Sequence, residues 1–190
     1  NCDGLDDQDA PIWARVAVPF AGNNRGAFFI PDVGDEVLVM FLNGDSRFPL
    51  VMGGLWNGRD QPPDSLPGDR VDRWTMTGKA GTKLSIVEES AGQEKIVFQT
   101  PAVVKGTLTD QAGGQLKLEA AGNTITMDSS GVNIQAAAKV TVQASQVEVS
   151  AGMVTVNAGM SKFSGVVQCD VLISNTVVST MYTPGAGNIW

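Results

Sequence analysis

The sequence contains no histidine among its 190 residues. That removes Ser-His-Asp and Cys-His nucleophile systems and every histidine-based metal site. Cysteine is nearly as scarce: Cys2 and Cys169 lie far apart, so two free thiols are expected rather than a disulfide. Positive charge is also short, with 13 Lys and Arg against 20 Asp and Glu, a net charge of −7 and no basic stripe. A phosphate backbone is held chiefly by clustered Lys and Arg, so nucleic acid is not an expected partner. Helix signals are missing almost everywhere. No apolar run reaches the roughly 18 to 20 residues a membrane-spanning helix needs. The longest, Val166 to Met181, is interrupted by Gln168, Asp170, Ser174 and Asn175 and alternates like a strand. Carboxylate pairs occur at Asp6-Asp7, Asp35-Glu36 and Glu88-Glu89, each at a predicted turn or terminus. Solvated surface groups are the plain reading there, against a glycosidase acid/base pair. No catalytic residue, cofactor or metal is expected, and the chain is not expected to be an enzyme.

What the sequence has instead is a short internal repeat. A Val-x-Val-x-Ala unit occupies Val140-x-Val142-x-Ala144, Val147-x-Val149-x-Ala151 and Val154-x-Val156-x-Ala158, within a stretch that opens at Val132. Alternation of period two, renewed about every seven residues, describes short strands joined by tight corners. The inward positions are even in one unit, odd in the next and even again. A continuous strand would send its valines to the solvent side after such a flip, so a corner must separate the units. Ala138-Lys139, Ser145-Gln146, Gly152-Met153 and Gly159-Met160 supply mostly small or flexible residues there.

Two β-branched side chains and an alanine per unit cannot close a core within one chain. Partner copies must supply the rest, and winding identical chains together also pairs every strand edge. A cyclic homotrimer is the simplest closed solution. Its expected core is Val132, Ile134, Val140, Val142, Val147, Val149, Val154 and Val156. A single-chain β-helix is the alternative. A heptad coiled coil is excluded, because the large residues stand two apart rather than three or four.

Charge divides the chain. Residues 1–105 hold 10 of the 13 Lys and Arg and 15 of the 20 Asp and Glu, so the second half is a low-charge β segment. The first half reads as compact β structure. Strands are predicted over Trp13–Val18, Ala27–Ile30, Val37–Leu42 and Pro49–Met52, with Asn43-Gly44-Asp45 as a hairpin turn. Short strands with Gly-rich turns fit a small barrel. The Pro- and Gly-rich run from Asn57 to Arg70 is a linker. Strands at Trp74–Thr77, Thr82–Glu88, Glu94–Thr100, Gln115–Ala120 and Asn123–Asp128 then lead to the repeat.

Four segments carry a resemblance: Trp13-Ala-Arg-Val-Ala, Gly22-Asn-Asn-Arg-Gly-Ala-Phe-Phe-Ile-Pro, Val33-Gly-Asp-Glu-Val-Leu-Val and Val51-Met-Gly-Gly-Leu-Trp-Asn-Gly. Over about residues 12–60 the chain resembles the OB-fold domain of the central spike proteins of contractile injection systems. These include phage baseplate spikes, the VgrG proteins of type VI secretion and the spikes of extracellular phage-tail-like particles. The resemblance implies an all-β chain, an OB-fold barrel followed by an intertwined trimeric β-helix needle. On that plan residues 1–60 are the OB domain lacking its first strand, 61–105 linker and upper needle strands, 106–181 the needle and 182–190 a C-terminal tip.

The resemblance also implies a function: a structural, membrane-puncturing spike that meets hub and tube proteins at its N-terminal side and crosses a target membrane transiently. A hub precedes the OB domain in the family, so a longer parent polypeptide is expected. No leader is read at Asn1. Synthesis in the bacterial cytoplasm and work in an assembled baseplate are the expected localisation. Some family spikes end in a His-x-His iron apex that this sequence cannot form. Tyr182, Pro184, Asn188, Ile189 and Trp190 are the candidate contacts for a separate PAAR-type tip protein; filling the last layer of the rod is the plainer reading of Tyr182, Ile189 and Trp190. Two further readings stay open. An OB-fold could bind oligonucleotide or oligosaccharide through Trp13, Phe28, Phe29 and Trp56, or the rod could belong to a trimeric tail fibre or adhesin.

Overall fold

The computed structural model describes residues 12–181. Among them the regular structure is all β, with two short 3-10 turns at Leu42–Gly44 and Gln111–Gly113. The chain separates into two units, the first ending at Thr141 and the second beginning at Val142.

The first unit opens with small sheets. Strands β1 (Arg15–Val16), β4 (Val37–Phe41) and β5 (Pro49–Gly54) form a three-stranded sheet in the order β1-β5-β4, and β2 (Ala21–Gly22) pairs β3 (Arg25–Gly26) as a separate hairpin. β1 lies parallel to β5 with Val16 opposite Val51. The predicted strand Trp13–Val18 is therefore paired only at its centre. In β4 the residues Val37, Val39 and Phe41 turn inward and Leu38 and Met40 outward, the period of two that a one-sided sheet requires. The ladder slips between Leu38 and Val39, opposite Gly53 and Val51, so Met52 is a bulge. The turn after β4 places Asn43 and Gly44 at φ of 53° and 73°, left-handed values that asparagine and glycine tolerate best. Two expectations are corrected here. Ala27–Ile30 lies in no ladder, and the preceding segment read as loop carries the β2–β3 hairpin instead. Asn24, in left-handed backbone at φ 52°, closes that hairpin and spends the residues a longer strand would have needed.

A seven-stranded antiparallel meander follows. Its strands are β6 (Arg73–Thr77), β7 (Lys83–Val87), β8 (Lys95–Gln99), β9 (Lys105–Thr109), β10 (Gln115–Ala120), β11 (Asn123–Asp128) and β12 (Gly131–Gln135), each paired with its neighbours in sequence. Tight turns make this order possible. Ala121 and Gly122, both at positive φ, form a two-residue link whose twist matches the strands it joins. The ladder runs across residue 105, where charge density falls, and β9 was not foreseen as a strand. Lys105-Gly-Thr-Leu-Thr109 offers one large apolar side chain and a glycine, too weak an alternation to read alone.

After Gln135 the described residues form no strand or helix. It bends at Ala138, Ser145, Gly152 and Gly159. Those are the predicted corners, seven residues apart. Cys169 is a free, exposed thiol; Cys2 and the candidate tip residues Tyr182 to Trp190 lie outside the described residues.

Candidate functional site

The meander places large apolar side chains in two unbroken rows on one face. One row runs Trp74, Ile86, Ile96, Leu108, Leu116, Met127, Val132; the other runs Met76, Leu84, Phe98, Gly106, Leu118, Ile125, Ile134. Both cross all seven strands. The cause is strand register: each turn brings an apolar residue opposite another, so period two within strands becomes rows across them. Gly106 is the one gap, and Phe98 fills it. A Cβ at 106 would stand 1.9 Å from the ring Cζ, so the far end of the ring occupies the space beside the glycine.

The apolar face is uncovered. Its side chains outside Leu116 and Gly106 are 38 to 64% exposed. The opposite face is mostly polar yet better shielded: Thr75, Ser85, Val97, Thr107, Lys117, Thr126 and Asn133 share a row, and Ser85 and Val87 are buried. The linker reaches this face at β6 and β7. The Thr75 hydroxyl donates to Asp64 Oδ2 at 3.0 Å and Lys83 Nζ to the same oxygen at 3.4 Å. Arg73 reaches Asp72 at 2.9 Å, Glu89 at 2.6 Å and Asp64 at 3.7 Å. The Thr75 hydroxyl and then the Ser65 N–H hold the Asp64 carboxyl below the usual range, and Lys83 adds to this. The hydrogen bond to Asp72 raises the Arg73 guanidinium above its ordinary value, with Glu89 and Asp64 contributing charge.

This inverts the usual arrangement of a one-sided sheet. Thirteen large apolar side chains form one contiguous block open to water, whereas soluble monomers rarely expose an apolar patch above a few hundred Å². Fully burying an exposed side chain of this size is worth about 1.5 to 3 kcal/mol, and these, about half covered already, would each gain about half of that. The arrangement is suited to self-association.

Sequence reasoning reached only the end of this surface. Val132 and Ile134 sit on β12 as the last members of the two rows. Val140, Val142, Val147, Val149, Val154 and Val156 lie beyond the sheet and are exposed. The members on β6 to β11 were missed as a set, although their signal was legible: Trp74-x-Met76, Leu84-x-Ile86, Ile96-x-Phe98, Leu116-x-Leu118 and Ile125-x-Met127 all repeat one spacing. Of the aromatic candidates for ligand binding, Phe29 and Trp56 line one cavity of about 950 Å³ with Met76, Leu84 and Phe98, while Trp13 and Phe28 are not among its walls. Of the carboxylate pairs, Asp6-Asp7 lies outside the described residues, and the other two hold local structure. Asp35 accepts the Asp32 N–H at 2.7 Å, Glu36 accepts Asn57 Nδ2 at 2.7 Å and Glu89 pairs with Arg73. Among the described residues no three of His, Cys, Asp and Glu converge as for a metal ion, and no helix is long and apolar enough to cross a membrane.

Comparison with known proteins gives matches over two parts of the chain. Residues 2–56 match the family described as the type VI secretion system/phage-baseplate injector OB domain, and residues 95–160 match the phage baseplate V C-terminal trimerisation domain. The type VI secretion system spike protein VgrG3 of Vibrio cholerae serotype O1 is 35% identical over 96 residues, 48% of this chain and 9% of the relative. VgrG4b of Pseudomonas aeruginosa, also named a type VI secretion system spike protein, is 37% identical over 98 residues, 50% of this chain and 12% of the relative. The actin cross-linking toxin VgrG1 of Vibrio cholerae is 30% identical over 115 residues, 58% of this chain and 10% of the relative. The chain thus spans about a tenth of the length of these relatives.

Proposed function

The chain is a VgrG-like spike sequence, an injector OB domain with a baseplate trimerisation domain behind it, and from that premise we propose that it is a mechanical part of a contractile injection machine. Three copies wind into a needle that a contracting sheath drives through a target envelope. The reading assigns residues up to about 60 to the OB collar, the meander to the upper needle and the repeat beyond Gln135 to the rod, with Val140, Val142, Val147, Val149, Val154 and Val156 in its core. Hub and tube proteins adjoin the N-terminal side. A PAAR-type protein caps Tyr182, Pro184, Asn188, Ile189 and Trp190. The work is structural and needs no catalytic group.

The observation that carries this reading is the pair of seven-residue apolar rows, open to water on a sheet whose other face meets its own linker at β6 and β7. The trimerisation-domain match supports a homotrimer as the state that covers them. Interwoven chains also resist extraction, because withdrawing one strand breaks bonds to its neighbours along its whole length. Sedimentation combined with small-angle scattering tests the proposal. A trimer much longer than a compact sphere of its mass is expected, and a monomer would rule the reading out.

A further inference from the structure

Glycine follows asparagine at two places in the sequence, Asn43-Gly44 and Asn57-Gly58. Asparagine is among the chemically labile residues, and a following glycine, lacking a Cβ, leaves its backbone nitrogen open to the side-chain amide before it. We propose that Asn43 is a site of spontaneous modification by water, which converts it to aspartate and isoaspartate, while the fold protects Asn57 in the same dipeptide. The inference concerns the OB domain and does not depend on the mechanical reading above.

The reaction needs only water. The Gly44 nitrogen attacks Cγ of Asn43, a C–N bond forms, the bond from Cγ to the side-chain nitrogen breaks, and ammonia leaves with the amide proton. Water then opens the cyclic imide at either carbonyl. One opening gives aspartate, and the other gives isoaspartate with the main chain running through the side-chain carbon.

The two sites differ in what holds the reacting amide. Asn43 and Gly44 are both exposed, and among the described residues no side-chain hydrogen bond engages Asn43. A Cβ built on Gly44 would meet nothing within 4 Å, so the space around the turn is open. Asn43 at ψ 23° keeps the Gly44 nitrogen away from Cγ, and conversion therefore runs through a local opening of the turn. That opening breaks backbone bonds of one short turn, the Asp45 N–H to the Leu42 carbonyl at 3.0 Å among them, and none to the reacting side chain. Asn57 is half-buried and held at both ends of its amide. Its Nδ2 donates to Glu36 Oε2 at 2.7 Å, while its Oδ1 accepts the Asp60 N–H at 2.9 Å and the Arg59 N–H at 3.2 Å. All three bonds must break before Cγ can turn toward Gly58.

Conversion at 43 would be felt in the hairpin. It adds one negative charge to a chain already at −7. The new carboxylate stands two residues from Asp45, whose Oδ2 accepts Arg47 Nη2 at 2.6 Å, and competes for the same guanidinium. Isoaspartate also lengthens the connection between Phe41 and Pro49, which are paired across β4 and β5.

The full native chain, held in mildly alkaline buffer and sampled over time, tests the proposal by peptide mass mapping, with isoaspartyl methyltransferase labelling to identify isoaspartate. The Asn43 peptide should convert at least about tenfold faster than the Asn57 peptide, and in denaturant the two rates should converge. Glu36→Ala removes the acceptor of the Asn57 amide and should speed native conversion at 57 without changing the rate at 43. Equal native rates, conversion at 57 ahead of 43, or an intact Asn43 over the time in which the denatured chain converts fully would each overturn the proposal. These readings come from the unaltered chain, so they stand even if the Glu36 variant does not fold.

Discussion

The ring of Phe98 occupies the space that a side chain at residue 106 would need: a Cβ there would lie 1.9 Å from Cζ and 2.4 Å from Cε2. The two residues face each other across β8 and β9, so glycine at one position is the condition for phenylalanine at the other. The pair closes the only gap in the second apolar row.

Gly106→Ala should therefore destabilise the sheet by about 1 to 3 kcal/mol, the usual cost of forcing a packed side chain aside. The loss should be much smaller when Phe98→Leu is made together with it, because the shorter side chain leaves the glycine site free. Urea unfolding of the two single variants and the double variant measures this coupling. Additive losses would show that the ring is not what excludes a side chain at 106.

Val103 offers a gain. It is a β-branched residue at φ 65°, held in the turn between β8 and β9 by its N–H bond to the Thr100 carbonyl at 3.0 Å and by Thr100 N–H to the Val104 carbonyl at 2.9 Å. Left-handed backbone costs an ordinary residue about 1 to 2 kcal/mol. Val103 is also 75% exposed, so little packing is lost by replacing it. Val103→Asn should stabilise the sheet by about 0.5 to 1 kcal/mol, read as a raised thermal midpoint at unchanged oligomeric state. A lowered midpoint would mean that the valine packs in the assembled protein.

The contacts between linker and polar face should loosen only in strong acid. The carboxyl of Asp64 is held below its ordinary value of 3.8, first by the Thr75 hydroxyl and then by the Ser65 N–H. Outside the linker, Asp32 is likewise held low, by the hydrogen bond from Lys79 first and the Val33 N–H second. A depressed folded value means that the stabilisation is complete above the unfolded value and disappears as pH falls through the folded one. No loosening is expected between pH 7 and about pH 5. The amide shift of Ser65, which donates to Asp64 Oδ1 at 3.0 Å, reports the event. A titration midpoint at or above the ordinary value would contradict this account.

Legibility in the sequence followed the range of the interaction. The corners at Ala138, Ser145, Gly152 and Gly159 were readable because a parity flip is a local fact of the chain. Strands Gln115–Ala120 and Asn123–Asp128 were readable for the same reason, a clean alternation across a two-residue turn. The apolar pair within each strand was legible too, but the alignment of those pairs into rows was not, since Trp74 and Val132 share a row only through six successive registers that turn geometry sets. The role of Gly106 was equally hidden. Within its own strand it reads as a weak point, and only the neighbouring Phe98 gives it a purpose.

The apolar rows give the most direct test, because a free face and a buried face respond oppositely to charge. Leu118 and Ile125 are neighbours in the middle of the second row, and both are about two fifths exposed in the single chain. Were that face bathed in water in the working protein, Leu118→Asp would change stability by no more than about 0.5 kcal/mol, as for other surface sites. In a trimer the same change places three carboxylates in an apolar layer. Each loses hydration without a partner, at a cost of several kcal/mol per charge. Association should then fail, and sedimentation should report monomer or aggregate in place of trimer. Thr126→Asp, one residue from Ile125 but on the polar face opposite Lys117, should leave the trimer intact. The contrast separates loss of interface from loss of fold, since both variants put the same charge on adjoining strands. If both associate normally, the meander's apolar face is not where the copies meet.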